Sequence, residues 1–339
     1  MGTSPEDVKL TSAEIGKIWS TYTGNTLSKC VLRYFQQHVE DPDIKRIVDH
    51  ALDLCDSLVV DAREIFQKEN FPVPVGFTDE DVHLGAPRLF KDEFYLHYLK
   101  YTGKAGLSLY SVAIPLMTRS DTREFFTNTV QATMRFLNEV TQVLMDKGLM
   151  VKPPEIPYPR HPDFIEKQRY LSGFLGEVRP LHALEIAHIY SNLDNDTTSK
   201  ALLVAFSQVA REGKIRDFFL RGKEITDRHI KAGFNKLHEN GLPGTPFLDN
   251  LVTTSTISPF SDKLMLFHKM EMFSMKIRTY ANAASLNGRR DIGAMYTRFL
   301  ADNGLYVDDA ANLLIARRWM ERTPEAVDRD ELAHKKELE

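Results

Sequence analysis

The sequence predicts an all-α protein built from two tandem four-helix bundles. The chain repeats itself, because residues 10–19 align with residues 181–190 at a spacing of 171, and residues 154–155 align with 324–325 at a spacing of 170. A spacing this long exceeds the repeat of any solenoid and indicates two copies of a whole domain. Each copy also divides into two helical pairs with tight turns, separated by one long proline-containing loop.

The first two helices are defined by their N-terminal residues. Thr11 is the predicted N-cap of a helix that extends to about residue 38, and Asp41 caps a second helix, with Pro42 at its first position, that extends to about residue 68. The connection between them is only a few residues long. We therefore expect the two helices to be antiparallel neighbours.

The loop 70–90 contains three prolines and separates the two helical pairs of the first copy. At roughly 3.3 Å per extended residue it is long enough to run back along the whole bundle. The third helix, predicted at 91–117, then starts at the same end as the second, and the fourth is predicted at 121–147. Two antiparallel pairs joined by one long crossover between helices 2 and 3 give the ferritin-like connectivity.

The second copy repeats this plan, with helices predicted at 182–210, 213–239, 261–287 and 290–318. Four prolines between residues 153 and 159 favour a stiff, extended linker, and residues 163–176 are predicted to form a short helix. The predicted limits are a first bundle at 1–152, a linker with its short helix at 153–176, a second bundle at 177–322 and a charged tail at 323–339.

The composition excludes several classes of protein. The apolar fraction of 42% and the charged fraction of 27% are ordinary for a globular protein, and a net charge of -4 gives no field that would gather nucleic acid or an anionic membrane. The N-terminus opens with acidic residues rather than a secretion signal. We therefore expect a cytoplasmic protein that binds protein partners or itself, without nucleic acid or membrane. Cys30 and Cys55 are predicted to be buried thiols.

Five segments carry a family resemblance: 71–82 (FPVPVGFTDEDV), 86–90 (APRLF), 153–159 (PPEIPYP), 164–168 (FIEKQ) and 260–268 (FSDKLMLFH). In these segments the chain resembles domain-of-unknown-function family 3231 of endospore-forming bacteria, and the likeness spans nearly the whole chain. The resemblance implies a tandem ferritin-like fold. Because some members carry a spore-coat label, it also implies a sporulation context and association with the spore. It implies no established reaction.

A ferritin-like dimetal site needs a Glu from two helices and a Glu-x-x-His pair from each of the other two. Only Glu185 and His188 form such a pair on a predicted bundle helix, and that helix is the first of its copy. Glu14, the equivalent of Glu185, forms a capping box with Thr11 in the sequence pattern. A capping role is also open for Glu185, although His182 stands where Ser or Thr is usual. We expect no conventional dimetal centre in the first copy.

His229 is the most unusual core position in the sequence. It lies on the apolar stripe of its predicted helix, where the first copy has Leu58. A core histidine with satisfied hydrogen bonds is the first interpretation, and a contact to a metal or substrate is the alternative. Because Glu185 lies roughly 12 Å along the bundle from the level of His229, the candidate ligands are not expected to converge.

Depth along the helices predicts two further pairs. Residues at equal distance from a tight turn lie at the same level, which pairs His268 with Asp309 and Glu139 with His97 or Tyr98. The third helix also contains Gly103 and Gly106, which lower its propensity by roughly 1 kcal/mol each. These glycines permit either close contact between helices or entry of a ligand.

The sequence leaves two functions open. The first is a non-catalytic, spore- or stress-associated protein whose paired bundles act as a scaffold or interaction protein, without a cofactor. The alternative is a ferritin-like metal-binding protein or oxidase that uses iron or manganese. Its site is then expected in the second bundle, among Glu185, His188, His229, His268 and Asp309. No nucleotide-binding motif or nucleophile motif supports another reaction.

Overall fold

Nine α-helices account for most of the chain in the computed structural model, which describes residues 9–174, 177–286 and 288–335. Within these residues the β-structure is limited to two isolated bridges. The helices are α1 (Ser12–His38), α2 (Pro42–Lys68), α3 (Asp92–Tyr110), α4 (Ser120–Asp146), α5 (Ala183–Val209), α6 (Gly213–His238), α7 (Asp262–Leu286), α8 (Arg290–Ala316) and α9 (Arg329–Lys335). None of the described helices is long and apolar enough to span a membrane.

The start of α3 lies beside the start of α2. The carboxylate of Asp92, at the beginning of α3, accepts hydrogen bonds from the backbone amides of Glu40 and Asp41 at 3.0 and 2.7 Å. The Nζ atom of Lys147, just after α4, lies 2.7 Å from the carboxylate of Asp41. Helices α2 and α3 are therefore parallel, and α4 returns antiparallel to both.

The second copy has the same connectivity. Asp262, at the start of α7, accepts from the amides of Arg211 and Glu212 just before α6, at 3.1 and 2.8 Å. The predicted fold class, two tandem helical bundles with a long crossover between helices 2 and 3 of each, is confirmed.

The ends of the helices follow from local chemistry. Thr11 caps α1 with a complete capping box, and the Asp41 side chain accepts from the amides of Asp43 and Ile44 at the start of α2. Helix α3 ends at Tyr110, before the predicted residue 117, and a 3-10 turn at Ile114–Leu116 follows. Pro115 explains this early end, because in a continued α-helix it has no N–H for the carbonyl of Ser111 and its ring would clash with that carbonyl.

The two crossover loops pair with each other across the molecule. Val82 forms an antiparallel bridge with Phe260, and Phe90 forms one with Val252. Each bridge is related to the other by the repeat spacing of 170 residues, so the two copies are arranged about a pseudo-two-fold axis.

One apolar core cluster joins the copies, and each copy has a further cluster of its own. The ring of Tyr34 packs edge-on against Phe260 at 5.2 Å, and the Tyr101 hydroxyl donates to the Met272 carbonyl at 3.0 Å. Buried residues of both copies belong to the same core cluster. The limits 1–152 and 177–322 stay predictions, since the copies are not separated by a gap in packing.

The linker between the copies is extended and exposed. Residues 153–159 contain no helix, and the helix predicted at 163–176 is replaced by one 3-10 turn at Gln168–Leu171. Residues 175 and 176 of that prediction lie outside the described part of the chain. Phe164 and Ile165 are 90% and 63% exposed. An isolated short helix without a partner for its apolar side chains is not stable in water, which accounts for the difference.

Candidate functional site

Glu14 and Glu185 are equivalent buried carboxylates that hold the tight turns of their bundles. Glu14 accepts from the amide of Thr11 at 2.7 Å and from the amides of Thr118 and Arg119, before α4, at 3.0 and 2.9 Å. Burial alone would raise the pKa of Glu14, but these hydrogen bonds outweigh it and lower the pKa to about 2. The capping role predicted for Glu14 is confirmed.

Glu185 does the same work in the second copy. Its oxygens accept from the amides of His182 and Arg289, both at 3.0 Å, and from the Arg179 guanidinium in two bonds of 2.8 Å. His182 takes the N-cap position, and its Nδ1 atom accepts from the Glu185 amide at 3.2 Å. Burial raises the pKa of Glu185, and the Arg179 and amide bonds reverse this and lower it. Both carboxylate oxygens are occupied by structural contacts.

The other predicted ligands lie apart from Glu185. His188 is half-buried on α5, and its Nδ1 atom has no hydrogen-bond partner in the described residues. The predicted pair of His268 with Asp309 is wrong, because His268 Nε2 contacts the Tyr98 hydroxyl at 2.7 Å. Asp309 instead forms an ion pair with Arg221 at 2.8 Å.

The second predicted pair is also wrong, for the same physical reason. Glu139 contacts His50 Nδ1 at 3.0 Å, on the surface between α2 and α4, rather than His97 or Tyr98. Distance from a turn fixes the level of a residue but not the face on which it lies. Across the described ranges, no group of three or more His, Cys, Asp or Glu side chains is arranged to hold a metal ion.

The centre of the second bundle is a buried polar cluster to which all four helices contribute. We call it the central cluster: Asp196 from α5, His229 from α6, Lys276 and Tyr280 from α7, and Asp302 from α8. The Tyr280 hydroxyl donates to both oxygens of Asp196 at 2.8 and 2.7 Å. His229 Nε2 lies 3.1 Å from the Asp302 carboxylate, and its Nδ1 lies 3.4 Å from the Tyr280 hydroxyl. The first interpretation of His229, a core histidine with hydrogen-bond partners, matches these contacts.

The cation in the central cluster is the side-chain ammonium of Lys276. Lys276 Nζ lies 3.1 Å from the Asp196 carboxylate and donates to the Thr226 hydroxyl at 3.1 Å, with the Lys276 side chain 1% exposed. Burial lowers the pKa of Lys276, and the Asp196 carboxylate opposes this effect. The Lys276 ammonium neutralises the Asp196 carboxylate, which a bridging metal would need as a ligand. The central cluster therefore does not fit a ferritin-like dimetal centre, which requires several uncompensated carboxylates.

A second buried lysine lies next to the central cluster. Lys269 Nζ donates to the carbonyl and hydroxyl of Ser199 at 3.1 and 2.8 Å, and the residue is fully buried. Burial, together with the nearby Lys276 ammonium, holds the pKa of Lys269 well below its usual range. Two lysines inside one bundle are unusual, because burying an ammonium costs several kcal/mol unless it is paired.

The first copy has neutral side chains at the equivalent positions. Asn25 stands for Asp196, Leu58 for His229 and Gly106 for Lys276. In place of the ion pair this bundle contains a cavity of about 80 Å³, the first-bundle cavity. Side chains around it include Asn25, Leu54, Cys55, Leu58, Leu99 and Tyr110. Burial raises the pKa of the Cys55 thiol to about 12, so the cavity wall is uncharged near neutral pH.

A larger groove lies between the two copies. This inter-copy groove has a volume of about 460 Å³ and is lined by parts of α1 and α7 and by residues 319–321. It shares two lining residues with the first-bundle cavity, Asn25 and Tyr110. Asn25 Nδ2 donates to the Tyr110 hydroxyl at 3.1 Å, so this pair stands where the groove and the cavity meet.

Sequence reasoning missed Asp196 and Lys276. The ligand pattern of a ferritin-like site contains acids and histidines, and a lysine as the partner of a buried acid lies outside it. The signal was present in the repeat, because two neutral positions of the first copy, Asn25 and Gly106, become an acid and a base in the second. Paired changes of opposite charge at equivalent positions indicate side chains that meet in the fold.

The match to a protein family agrees with the repeated architecture. A family described as protein of unknown function (DUF3231) matches residues 1–161 and again residues 170–332. A solved structure from Bacillus halodurans C-125, described as a "putative spore coat protein", is similar at 22% identity and a TM-score of 0.42, covering 46% of this chain and 100% of that one. No curated protein matches the chain. With nearly its whole length covered by two copies of the family pattern, the chain belongs to the DUF3231 family.

Proposed function

We propose that this protein is a non-catalytic, spore- or stress-associated scaffold, in which two ferritin-like bundles form one rigid body. The observation that carries the non-catalytic part is the contact of Lys276 with Asp196 at 3.1 Å, with both side chains buried. It supports a structural centre because the chain supplies its own cation, and the carboxylate is already neutralised. The fused core of the two copies supports rigidity.

The linker supports a role in binding other proteins. Tyr158, Phe164 and Phe174 are 96%, 90% and 66% exposed, which places three large apolar side chains on one short segment outside both bundles. Exposed apolar groups concentrated in one region mark interaction sites more often than scattered ones do. The linker is therefore the proposed contact point for a protein partner or for a second copy of the chain.

Metal analysis tests the non-catalytic part of the proposal. The full chain, purified without chelator, is loaded with iron(II) or manganese(II), desalted and analysed by mass spectrometry for metal per chain. We expect less than stoichiometric metal, equal in wild type and in Asp302→Asn. Stoichiometric iron or manganese that Asp302→Asn removes would support the alternative, a ferritin-like metal protein or oxidase.

Sedimentation and fractionation test the scaffold part. Replacing Tyr158 and Phe164 together by Ser should lower self-association measured by analytical ultracentrifugation, or retention on the isolated spore coat, without a change in Tm. The spore context extends to this chain the description of the Bacillus halodurans protein. Finding the protein only in vegetative extracts of the organism that encodes it would contradict that context.

A further inference from the structure

The inside of the first bundle differs from that of the second in a way that leaves space. Leu99 and Gly106 border the first-bundle cavity, and their equivalents in the second copy are Lys269 and Lys276, whose side chains are fully buried. Gly103 serves close contact between helices, one of the two roles open to it from the sequence. A Cβ there would lie 2.6 Å from Leu137 Cδ2, so the glycine permits close packing of α3 on α4. The second copy fills its centre with long side chains, and the first copy keeps its centre empty of them.

A second asymmetry leaves a groove beside this cavity. On one side of the pseudo-two-fold axis, Lys100 and Lys104 of α3 contact Asp194 of α5 at 2.8 and 3.3 Å. These ion pairs tie the copies together. The equivalent positions on the other side are Met270, Ser274 and Thr23, which cannot form such pairs.

All three of these neutral residues line the inter-copy groove. The groove therefore lies at the position that is equivalent, across the pseudo-two-fold axis, to the ion pairs of Lys100 and Lys104 with Asp194. It reaches the first-bundle cavity at Asn25 and Tyr110, which line both spaces. The two spaces are therefore adjacent, and the hydrogen bond between Asn25 and Tyr110 separates them.

Charged side chains of both signs line the groove, and among those that the structure describes Arg278 is the one with an unsatisfied buried donor. Glu271, on the same helix, interacts with Arg278 through its charge without forming an ion pair. Arg278 lines the groove from α7, its Nε atom is buried without a hydrogen-bond partner, and within the described ranges it forms no ion pair. Lys17 of α1 lines the same groove, and it too has no ion pair among the residues described. A buried, unpaired guanidinium donor costs free energy, and a carboxylate satisfies it in a bidentate geometry.

We propose that the inter-copy groove and the first-bundle cavity together bind a small amphiphilic carboxylate. Its carboxylate pairs with Arg278, and its aliphatic chain enters the first-bundle cavity by displacing the 3.1 Å hydrogen bond between Asn25 and Tyr110. The cavity wall is uncharged and mostly apolar, and Leu54, Leu58 and Leu99 favour a hydrocarbon chain over a charged group. This binding function goes beyond the proposed scaffold role and does not depend on it.

Isothermal titration of the full chain with straight-chain carboxylates of increasing length tests the proposal. Affinity should rise roughly fourfold for each methylene that enters the cavity, and then stop rising once the cavity is full. Primary alcohols of the same length keep the apolar contact but lack the charge. They should bind roughly tenfold to a hundredfold more weakly, the effect of one charged hydrogen-bonding pair.

Matched variants separate the two halves of the site. Arg278→Gln should reduce carboxylate affinity to that of the alcohol, whereas Arg298→Gln removes an exposed arginine outside the groove and should change nothing. Cys55→Leu should abolish binding of long chains by filling the cavity, and Cys55→Ala, which enlarges it, should preserve binding. Glu271→Gln removes an acid that lines the groove and should strengthen binding.

If Cys55→Leu does not fold, Gly106→Ala provides the same test, because its Cβ would lie 3.0 Å from the Tyr110 ring on the cavity wall. The proposal is overturned if carboxylates do not bind the wild type. It is also overturned if the affinity for carboxylates does not depend on their chain length, or if Arg278→Gln and the cavity variants bind them as tightly as the wild type does.

Discussion

Tyr98 and His268 occupy equivalent positions in the two copies and face each other across the pseudo-two-fold axis, with Tyr98 Oη 2.7 Å from His268 Nε2. Both residues are buried, at 1% and 4% exposure. Burial, with the neighbouring Lys269 ammonium, lowers the pKa of His268 to about 4. The imidazole is neutral at pH 7, so its Nε2 atom accepts a hydrogen bond from the Tyr98 hydroxyl. This bond joins the two bundles at their centre.

Removing the phenol tests how much this bond stabilises the assembly. Tyr98→Phe leaves His268 Nε2 buried without a donor, and the free energy of unfolding should fall by about 1–3 kcal/mol. Urea denaturation followed by circular dichroism measures the change. Tyr158→Phe, on a side chain that is 96% exposed, is the control and should have no effect. Equal stability of the two variants would show that the bond contributes nothing.

The same histidine predicts loss of stability in mild acid. The ordinary pKa of 6.5 applies to the unfolded chain, and the folded value is about 4, so between these pH values the unfolded state binds the extra proton. Stability from His268 is therefore complete above pH 6.5 and is lost as the pH falls toward 4, by up to roughly 3 kcal/mol. Urea midpoints at pH 7 and pH 4.5 should differ less in His268→Gln than in wild type. An unchanged difference would contradict the assignment.

The buried ion pair of the central cluster should behave as a coupled unit. Lys276→Met leaves the Asp196 carboxylate without its cation and should cost roughly 3–5 kcal/mol. Adding Asp196→Asn, the residue type that the first copy has at Asn25, should recover most of that loss. Chemical denaturation of both single variants and the double variant gives the coupling energy. Additive losses would show that the two side chains act independently.

His229 separates a structural imidazole from a metal ligand. His229→Leu places at this position the residue that the first copy has at Leu58, and Asp302, which is 28% exposed, can exchange its lost hydrogen bond for water. We expect a change in Tm of no more than a few degrees, about 1 kcal/mol or less. Melting curves with and without manganese should also coincide for both proteins. A manganese-dependent rise in wild-type Tm that the variant lacks would favour the metal alternative.

The fold could be predicted from the sequence because its signals are local. Thr11, Asp41 and Pro42 set the starts of helices through hydrogen bonds and backbone geometry within a few residues, and loop length then limits the topology. The early end of α3 could also have been predicted from the sequence, because Pro115 lies inside the predicted helix.

The candidate site was harder to predict from the sequence, because its contacts join helices that are distant along the chain. A helical stripe identifies His229 as inward-facing, but it does not reveal which side chain of the other three helices lies opposite. Asp302 and Tyr280 fill that place, and neither was named as a partner of His229 from the sequence. The cavity was hidden for a similar reason, since empty space follows from the packing of many residues and leaves no motif.

The bridges of Val82 with Phe260 and of Phe90 with Val252 use the same pair of backbone segments twice, once in each direction. Such a contact is self-complementary, so a chain with one copy presents both halves and can close the same interface with an identical neighbour. In that homodimer every residue on the axis faces itself, and any charge or cavity in one core appears in both. Fusion through the linker lifts this restriction. One polypeptide then keeps the interface of a symmetric dimer while its two interiors diverge, one toward buried charge and the other toward an empty, apolar chamber.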